Sequence, residues 1–322
     1  MRKYSVIIPV YNRPIEIDEL LDSLTKQTYT NFEVLIIEDG SINKCDEVVK
    51  KYENELDLHY FFKENSGQGF SRNFGFEKAK GNYFIVFDSD CIIPEHYLQT
   101  VENYLIEHQL DAFGGPDMAH KSFSNVQKAI SYSMTSFFTT GGIRGKKKSI
   151  GTFHPRSFNM GISKAVFDKT KGYKITRMGE DIEFSIRILE NGFKVGLIED
   201  AYVYHKRRTN FMQFYKQLHF FGRARINISR FYKSELKLVH TFPAIFTIGI
   251  VVYLFSYLIH PQFFLVGSAL LAVFITLIFF DATIKNKNIV VGLLSVAASF
   301  IQLVAYGVGF ISERVKKLFT GK

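Results

Sequence analysis

The sequence predicts an α/β fold, a mixed and mainly parallel sheet with helices on both faces, followed by an all-α membrane region. Strand-like apolar runs recur at Tyr4–Pro9, Val34–Glu38, Leu58–Phe62, Tyr83–Phe87, Ala112–Gly114 and Val195–Ile198, with helix-spaced segments between them. Such alternation builds parallel sheets covered by helices. Near residue 238 the composition changes, and three segments without Asp, Glu, Lys or Arg follow: Thr241–Ile259, Gln262–Phe280 and Ile289–Ile311. Each is long enough to cross a hydrocarbon core of about 30 Å as a helix. Three such runs in so short a stretch disfavour a buried helix hairpin of a soluble core.

The chain has 322 residues, enough for two ordinary units. Its start, MRKYSVIIPVYNRP, is basic and then apolar. The apolar part is short, ends in Pro9, Asn12 and Pro14, and lacks a small-residue cleavage site, so it reads as a first strand rather than a signal peptide. The amino-terminal part is therefore expected in the cytoplasm. Ile17, Leu20, Leu21 and Leu24 recur at helical spacing. The next strand ends in Asp39-Gly40-Ser41, in isolation an ordinary turn. Residues 64–81, ENSGQGFSRNFGFEKAKG, supply a glycine-rich turn, Arg72 and Asn73, and a short helix. Gly67 and Gly69 permit close backbone approach to a ligand, and Arg72 can neutralise or stack on a nucleotide.

The strand Tyr83–Phe87 carries Asp88 and Asp90 to its carboxyl end, where open α/β sheets place ligands. Alternation points both acids to one side, with Ser89 turned away. Two acids so placed repel unless a cation joins them, and a hard divalent ion bridged to a phosphate suffices. The plainer reading makes Asp90 a cap before Pro94. Leu98, Val101 and Leu105 form one further helix, and Ile182, Ile186 and Leu189 another that stops at Asn191-Gly192. Thr139–Pro155 mixes glycines with basic residues, as a solvated loop or as a flap over a phosphate-bearing substrate. Cys45 and Cys91 form no disulfide framework and no metal-ligand spacing, which fits a reduced compartment. Cys91 reads as a small buried apolar residue.

The net charge of +9 is uneven, with nine Lys or Arg from Lys206 to Lys237. A cluster beside a membrane segment is attracted to anionic headgroups, and nucleic acid is the weaker explanation. Residues 211–233 mix Phe, Tyr and Leu with Arg and Lys, as a helix lying in a membrane interface does. Three spans from a cytoplasmic start place Arg314, Lys316 and Lys317 outside, against the positive-inside tendency. An interfacial or re-entrant segment, the one with Pro243 being the candidate, would reverse this; three spans are the first choice.

Six pieces stand in a recognisable order: VIIPVYNR (6–13), EVLIIEDGS (33–41), SGQGFSRNFGFEKAKGNYFIVFDSD (66–90), FNMGISKAVFDKTKGY (158–173), GEDIEFSIRILENGFKVG (179–196) and VYHKRR (203–208). Together they resemble family 2 glycosyltransferases, inverting nucleotide-sugar enzymes with the GT-A fold, over residues 1–208. The resemblance implies a donor nucleotide pocket of Pro9, Tyr11, Asn12, Glu38, Asp39, Gly67, Arg72 and Asp88, with Asp39 reading the base. It implies Asp90 and His205 as ligands of Mn²⁺ or Mg²⁺ on the diphosphate. Asp181 resembles the catalytic base, although Glu180-Asp181 alone would read as helix capping. Asn159, Met160, Gly161, Glu180, Arg207 and Arg208 are expected at the acceptor and sugar pocket. Glu38 departs from the family's usual Asp, as does a cysteine directly after the acidic pair.

The expected organisation is a catalytic domain (1–209), an amphipathic juxtamembrane segment (210–237) and a membrane region (238–322). The expected activity moves one sugar from a nucleotide donor, UDP-linked by preference, to a hydroxyl of a lipid-linked glycan in cell-surface polysaccharide synthesis. The catalytic domain is expected on the cytoplasmic face of a multi-pass inner-membrane protein. Its partners are the donor, the acceptor and the membrane; nucleic acid is not among them, and self-association into a homo-oligomer stays open. A polyprenyl-phosphate sugar synthase is the first alternative, but a phosphate nucleophile has less need of a base. A processive polysaccharide synthase is the second, disfavoured because the chain has no tryptophan for the Gln-x-x-Arg-Trp motif of such enzymes. An inactive membrane-anchored nucleotide-binding protein would not require all four aspartates.

Overall fold

The computed structural model describes residues 2–120, 122–140 and 153–320, so most of the expected flap lies outside the described residues. In chain order the elements are β1 (Tyr4–Val10), α1 (Pro14–Thr25), β2 (Phe32–Asp39), α2 (Asp46–Lys50), β3 (Leu58–Lys63), α3 (Gln68–Lys78), β4 (Tyr83–Phe87), β5 (Cys91–Ile92), α4 (Tyr97–His108), β6 (Ala112–Gly114), β7 (Asp117–Met118), α5 (Asn125–Thr135), α6 (Phe137–Thr140), β8 (Asn159–Ser163), α7 (Lys164–Thr170), α8 (Glu180–Glu190), β9 (Val195–Leu197), β10 (Val203–His205), α9 (Phe211–Ile228), α10 (Phe242–Ile259), α11 (Pro261–Asn286) and α12 (Ile289–Thr320). They fall into two compact units, Met1–His120 with Gly151–Lys206, and Lys121–Ile150 with Arg207–Lys322.

The first unit is built on a seven-stranded sheet in the order β3-β2-β1-β4-β8-β6-β9. Strands β1 to β4 run parallel, and β8 is antiparallel to both β4 and β6. The chain leaves β1 towards β2 and β3, then returns to place β4 on the other side of β1. This reversal opens a crevice at the carboxyl ends of β1 and β4, where such sheets bind ligands. Strict alternation explains why the strand sequences are apolar throughout. Val6, Ile8, Val34, Ile36, Ile85 and Phe87 pack on one face with α1 and α4. Ile7, Leu35, Ile37, Phe84 and Val86 pack on the other with Phe76 of α3, Val166 of α7 and Phe184 of α8. Each such side chain contributes about 1.5–3 kcal/mol by leaving water. Pro9 fits inside β1 because pairing with β4 stops at Ile7, so its missing N–H falls where the strand has one neighbour.

A small sheet, in the order β5-β10-β7, adjoins these carboxyl ends. Its antiparallel rungs pair Tyr204 with Ile92 and His205 with Cys91.

In the second unit α12 is the central helix, packed against α5, α9, α10 and α11. Its buried face carries Gly292, Ser295, Ala298, Ser299, Ala305, Gly307 and Gly309, small residues that let helix backbones approach closely. Phe214, Leu218, Gly222 and Ile226 of α9, spaced by four, are buried. Glu313 accepts from Arg223 (3.0 Å) and Arg230 (2.8 Å), so two of the basic juxtamembrane residues bind this carboxylate. Three helices, Leu238–Ile259, Pro261–Asn286 and Ile289–Thr320, are long and apolar enough to cross a membrane. Two run past the expected ends: α11 adds Asp281 and Lys285, which pair at 2.8 Å, and α12 adds the turns around Glu313.

Candidate active site

Because β1, β2 and β4 are parallel neighbours, the residues that follow them emerge side by side. Asp88 and Asp90 follow β4, and the β5–β10 rungs bring His205 to them across more than a hundred residues of chain. The His205 imidazole Nε2 stands 3.0 Å from Asp90 Oδ1 and 3.9 Å from Asp88 Oδ2. Its ring stacks on Phe158 at 5.1 Å between centroids, and the Lys206 amide donates to the Asp90 carbonyl at 2.9 Å. Arg13, at the end of β1, donates to the other Asp90 oxygen. Burial pushes the Asp90 carboxyl up, but His205 and Arg13 outweigh it and hold the group below the ordinary carboxylate range.

Arg72 on α3 joins this cluster to the start of α8. Its guanidinium donates to Asp88 Oδ1 at 2.7 Å, and NH1 lies 3.8 Å from Glu180 Oε1. The side chain is 1 % exposed, with its Nε and NH1 without hydrogen-bond partners among the described residues. Asn73 holds this helix by reciprocal bonds to the Tyr173 backbone, 2.8 Å to its carbonyl and 2.7 Å from its amide. Gln68 donates to Glu180. Burial first, then Asp181, raises the Glu180 carboxyl above its ordinary value against the pull of Arg72. Asp181, the second residue of α8, accepts from its own helix at Ile182 (2.8 Å) and from Arg156 (3.1 Å). Of the four aspartates expected at the site, Asp88 and Asp90 meet at His205, Asp181 stands beside the Glu180–Arg72 link, and Asp39 pairs with Lys63 at the end of β2.

The expected donor residues have distinct placements. Tyr11 is half-exposed, 52 %, and available to a flat base. Asn12 adopts φ 54°, and its side-chain oxygen accepts from the amides of Ile42 and Asn43, both at 2.9 Å. Asp39 accepts from Lys63 (2.6 Å), Ser66 N and Gly67 N (both 2.9 Å); burial pushes this carboxyl up, but Lys63 and the amide bonds bring it below its ordinary value. Glu38 is fully buried and accepts from Ser41, Cys45 N and the Cys45 thiol, so it fastens the loop after β2 rather than facing the crevice. Gly67, at φ +86°, is approached by Thr176, whose hydroxyl would lie 2.3 Å from an added Cβ. The missing Cβ therefore admits Thr176, while the positive φ serves the turn.

Of the residues expected at the acceptor and sugar pocket, Glu180 joins Arg72 as described above. Asn159, Met160 and Gly161 form β8 inside the core: Asn159 accepts from Tyr97 (2.5 Å) and donates to the Ala201 carbonyl (2.8 Å), Met160 is fully buried, and Gly161 packs under Phe113. Arg207 and Arg208 belong to the second unit. Sequence reasoning passed over Arg13 and Arg156. Arg13 closes the VIIPVYNR motif beside the strand that ends in Asp88, a juxtaposition that only the strand order reveals.

The donor set fits a divalent cation. A carboxylate oxygen and an imidazole nitrogen 3.0 Å apart match two adjacent ligands of an octahedral ion, about 3 Å apart for arms of about 2.1 Å. Asp90, Cys91 and His205 have ligand atoms within 4.8 Å of one another. Cys91 is not a ligand of the same kind: burial pushes its thiol well above the ordinary range, and it donates to the Phe158 carbonyl at 3.6 Å.

Known proteins match both chain and fold. Glycosyltransferase GlyA of Streptococcus pneumoniae is 37% identical over 111 residues, 34% of this chain and 16% of that protein. The poly(ribitol-phosphate) beta-N-acetylglucosaminyltransferase TarS of Staphylococcus aureus is 37% identical over 115 residues, 34% of this chain and 20% of TarS. The chain thus matches a fifth or less of either relative. The mannosyltransferase PcManGT of Pyrobaculum calidifontis, solved with GDP-Man and Mn²⁺, superposes with a TM-score of 0.65 at 16% identity, over 93% of this chain and 87% of that one. TarS 1–349 with UDP-GlcNAc gives 0.51 at 20% identity, over 98% and 92%. These likenesses show a GT-A fold. Residues 5–169, half of the chain, match the family Glycosyl transferase family 2, and the chain belongs to that family.

Proposed function

We propose that the protein is an inverting, metal-dependent glycosyltransferase that moves one sugar from a UDP-sugar to a hydroxyl of a lipid-linked glycan at the cytoplasmic face of a membrane. The observation that carries this reading is the linked series Asp90–His205–Asp88–Arg72–Glu180–Asp181. It sets groups suited to a leaving diphosphate at one end and a carboxylate suited to proton removal at the other. A UDP donor and a cell-surface polymer acceptor are supported by the likeness to TarS, whose solved complex holds UDP-GlcNAc.

Asp90 and His205 would hold the divalent cation, with Asp88 beside them. When bound, such an ion neutralises charge that builds on the departing diphosphate. Arg13 and Arg72 add fixed positive charge to the same end, already oriented where negative charge builds. Asp181 takes the acceptor hydroxyl's proton as that oxygen attacks the anomeric carbon. Arg156, donating at 3.1 Å, orients this carboxylate in the first turn of α8. A single displacement from the face opposite the leaving group inverts the anomeric centre.

The test is nucleotide release by the full chain in detergent, across UDP- and GDP-sugars, with Mn²⁺, with Mg²⁺ and with chelator. Release from a UDP-sugar that needs metal and rises with a lipid-linked hydroxyl acceptor is the expected result. Metal-independent release would refute the metal dependence, and transfer only to a polyprenyl phosphate would refute this reading of the acceptor chemistry.

A further inference from the structure

At the opposite rim of the sheet, about 20 Å along β2 from Asp39 at some 3.3 Å per residue, a second group of metal-binding side chains converges. Glu33, the second residue of β2, pairs with Ser5 of β1, His59 lies on β3, and Asp57 just precedes that strand. Leu35 pairs with His59, so alternation turns Glu33, Asp57 and His59 to one face. Their ligand atoms all lie within 4.8 Å of one another.

Glu33 is fully buried. Its Oε1 accepts from Ser5 (2.6 Å) and from the amides of Lys80 (2.6 Å) and Gly81 (3.1 Å). Its Oε2 is buried and has no hydrogen-bond partner among the described residues. That oxygen faces His59 Nε2 at 3.6 Å, and Nε2 in turn lies 3.2 Å from Asp57 Oδ1. Nε2 is likewise buried and forms no hydrogen bond to either oxygen, despite the short separation from Asp57. Lys3 stands 3.4 Å from the other Asp57 oxygen, which leaves Oδ1 to this group.

An orphaned buried carboxylate oxygen is costly, and an ion shared by the three side chains removes that cost. We propose that Glu33, Asp57 and His59 form a divalent transition-metal site, with Zn²⁺ the ion their donors favour. One imidazole and two carboxylates suit this borderline ion, with solvent in the fourth position. Arms of about 2.0–2.1 Å at tetrahedral angles put neighbouring ligand atoms about 3.3–3.4 Å apart. The observed separations, 3.2 and 3.6 Å, bracket that value. β3 is the edge strand of the sheet, and the ion would clip its start to β2, far from the sugar-transfer chemistry.

The test uses the full chain in detergent, stripped with chelator and carrying His205→Ala so that the crevice site does not contribute. Equilibrium dialysis against Zn²⁺ should find about one ion per chain, and Zn²⁺ should raise the melting temperature. Adding His59→Gln should weaken retention by at least the roughly 10–100-fold seen when a ligand's supporting partner is lost, and abolish the melting shift. Asp57→Asn, at a half-exposed position, should weaken it too, and decides the matter if His59→Gln fails to fold. Zn²⁺ retention unchanged by either substitution, or no retention in the parent, overturns the proposal. So does a fall in melting temperature in His59→Gln when the parent never responds to Zn²⁺, which would leave a simple ion pair of His59 with its carboxylates.

Discussion

Asp181 and Asp90 stand at the two ends of one chain of charged contacts and are assigned to opposite sides of the reaction, so their substitutions should separate. Asp181→Asn is expected to lower turnover about 10²–10⁴-fold, the span of general-base catalysis, while donor affinity by calorimetry stays at the parent value. Asp90→Ala should weaken donor binding in the presence of metal and change little without it. Turnover of Asp181→Asn at the parent rate would remove its assignment as base. Glu180 makes a second prediction. Its carboxyl is raised by burial and by Asp181, so the folded chain binds that proton more tightly than the unfolded chain does. Stability therefore falls as pH rises from the ordinary glutamate value through the raised one. Glu180→Gln should flatten this part of the profile and raise the melting temperature at neutral pH, as thermal melts between about pH 4 and pH 8 would report. A carboxylate retained at a cost in stability is typical of a group kept for function.

The start of α8 is held by packing as much as by hydrogen bonds. Arg187 pairs with Glu183 (2.6 Å) and donates to the Thr170 carbonyl (2.9 Å), and both side chains are almost fully buried. Arg187→Leu leaves Glu183 buried without its partner and should cost about 3–5 kcal/mol, visible in the melting temperature before any change in donor affinity. Elements of this kind were legible to different degrees in the sequence. β1, β2 and β4 could be read because both of their faces are buried, which leaves continuous apolar runs. β8 could not: NMGIS contains asparagine and glycine, poor strand formers, and it pairs because β4 and β6 flank it. The same blindness hid the burial of Asn159–Gly161 inside the sheet, since a motif fixes order along the chain but not which face a side chain takes. His205 beside Asp90 was legible only through family resemblance. Its physical cause is a two-rung ladder too short to announce itself.

At the level of the whole molecule, three helices able to cross a membrane follow a unit rich in charged residues. An odd number of crossings places Lys317 on the side opposite to the residues before α10. Cys45 and Cys91 are both buried, so a Lys317→Cys substitution offers one accessible thiol. In sealed vesicles of known orientation, a membrane-impermeant maleimide should label it only from the face away from the catalytic unit. Labelling from the catalytic face would mean that one helix turns back. The β5–β10 ladder has a consequence for biosynthesis. Asp90 is translated long before His205, so a nascent chain cannot bring the two together until nearly the whole first unit has left the ribosome. The pair proposed to hold the metal is thereby withheld from unfinished polypeptides, and it closes just as the greasy helices that follow begin to emerge.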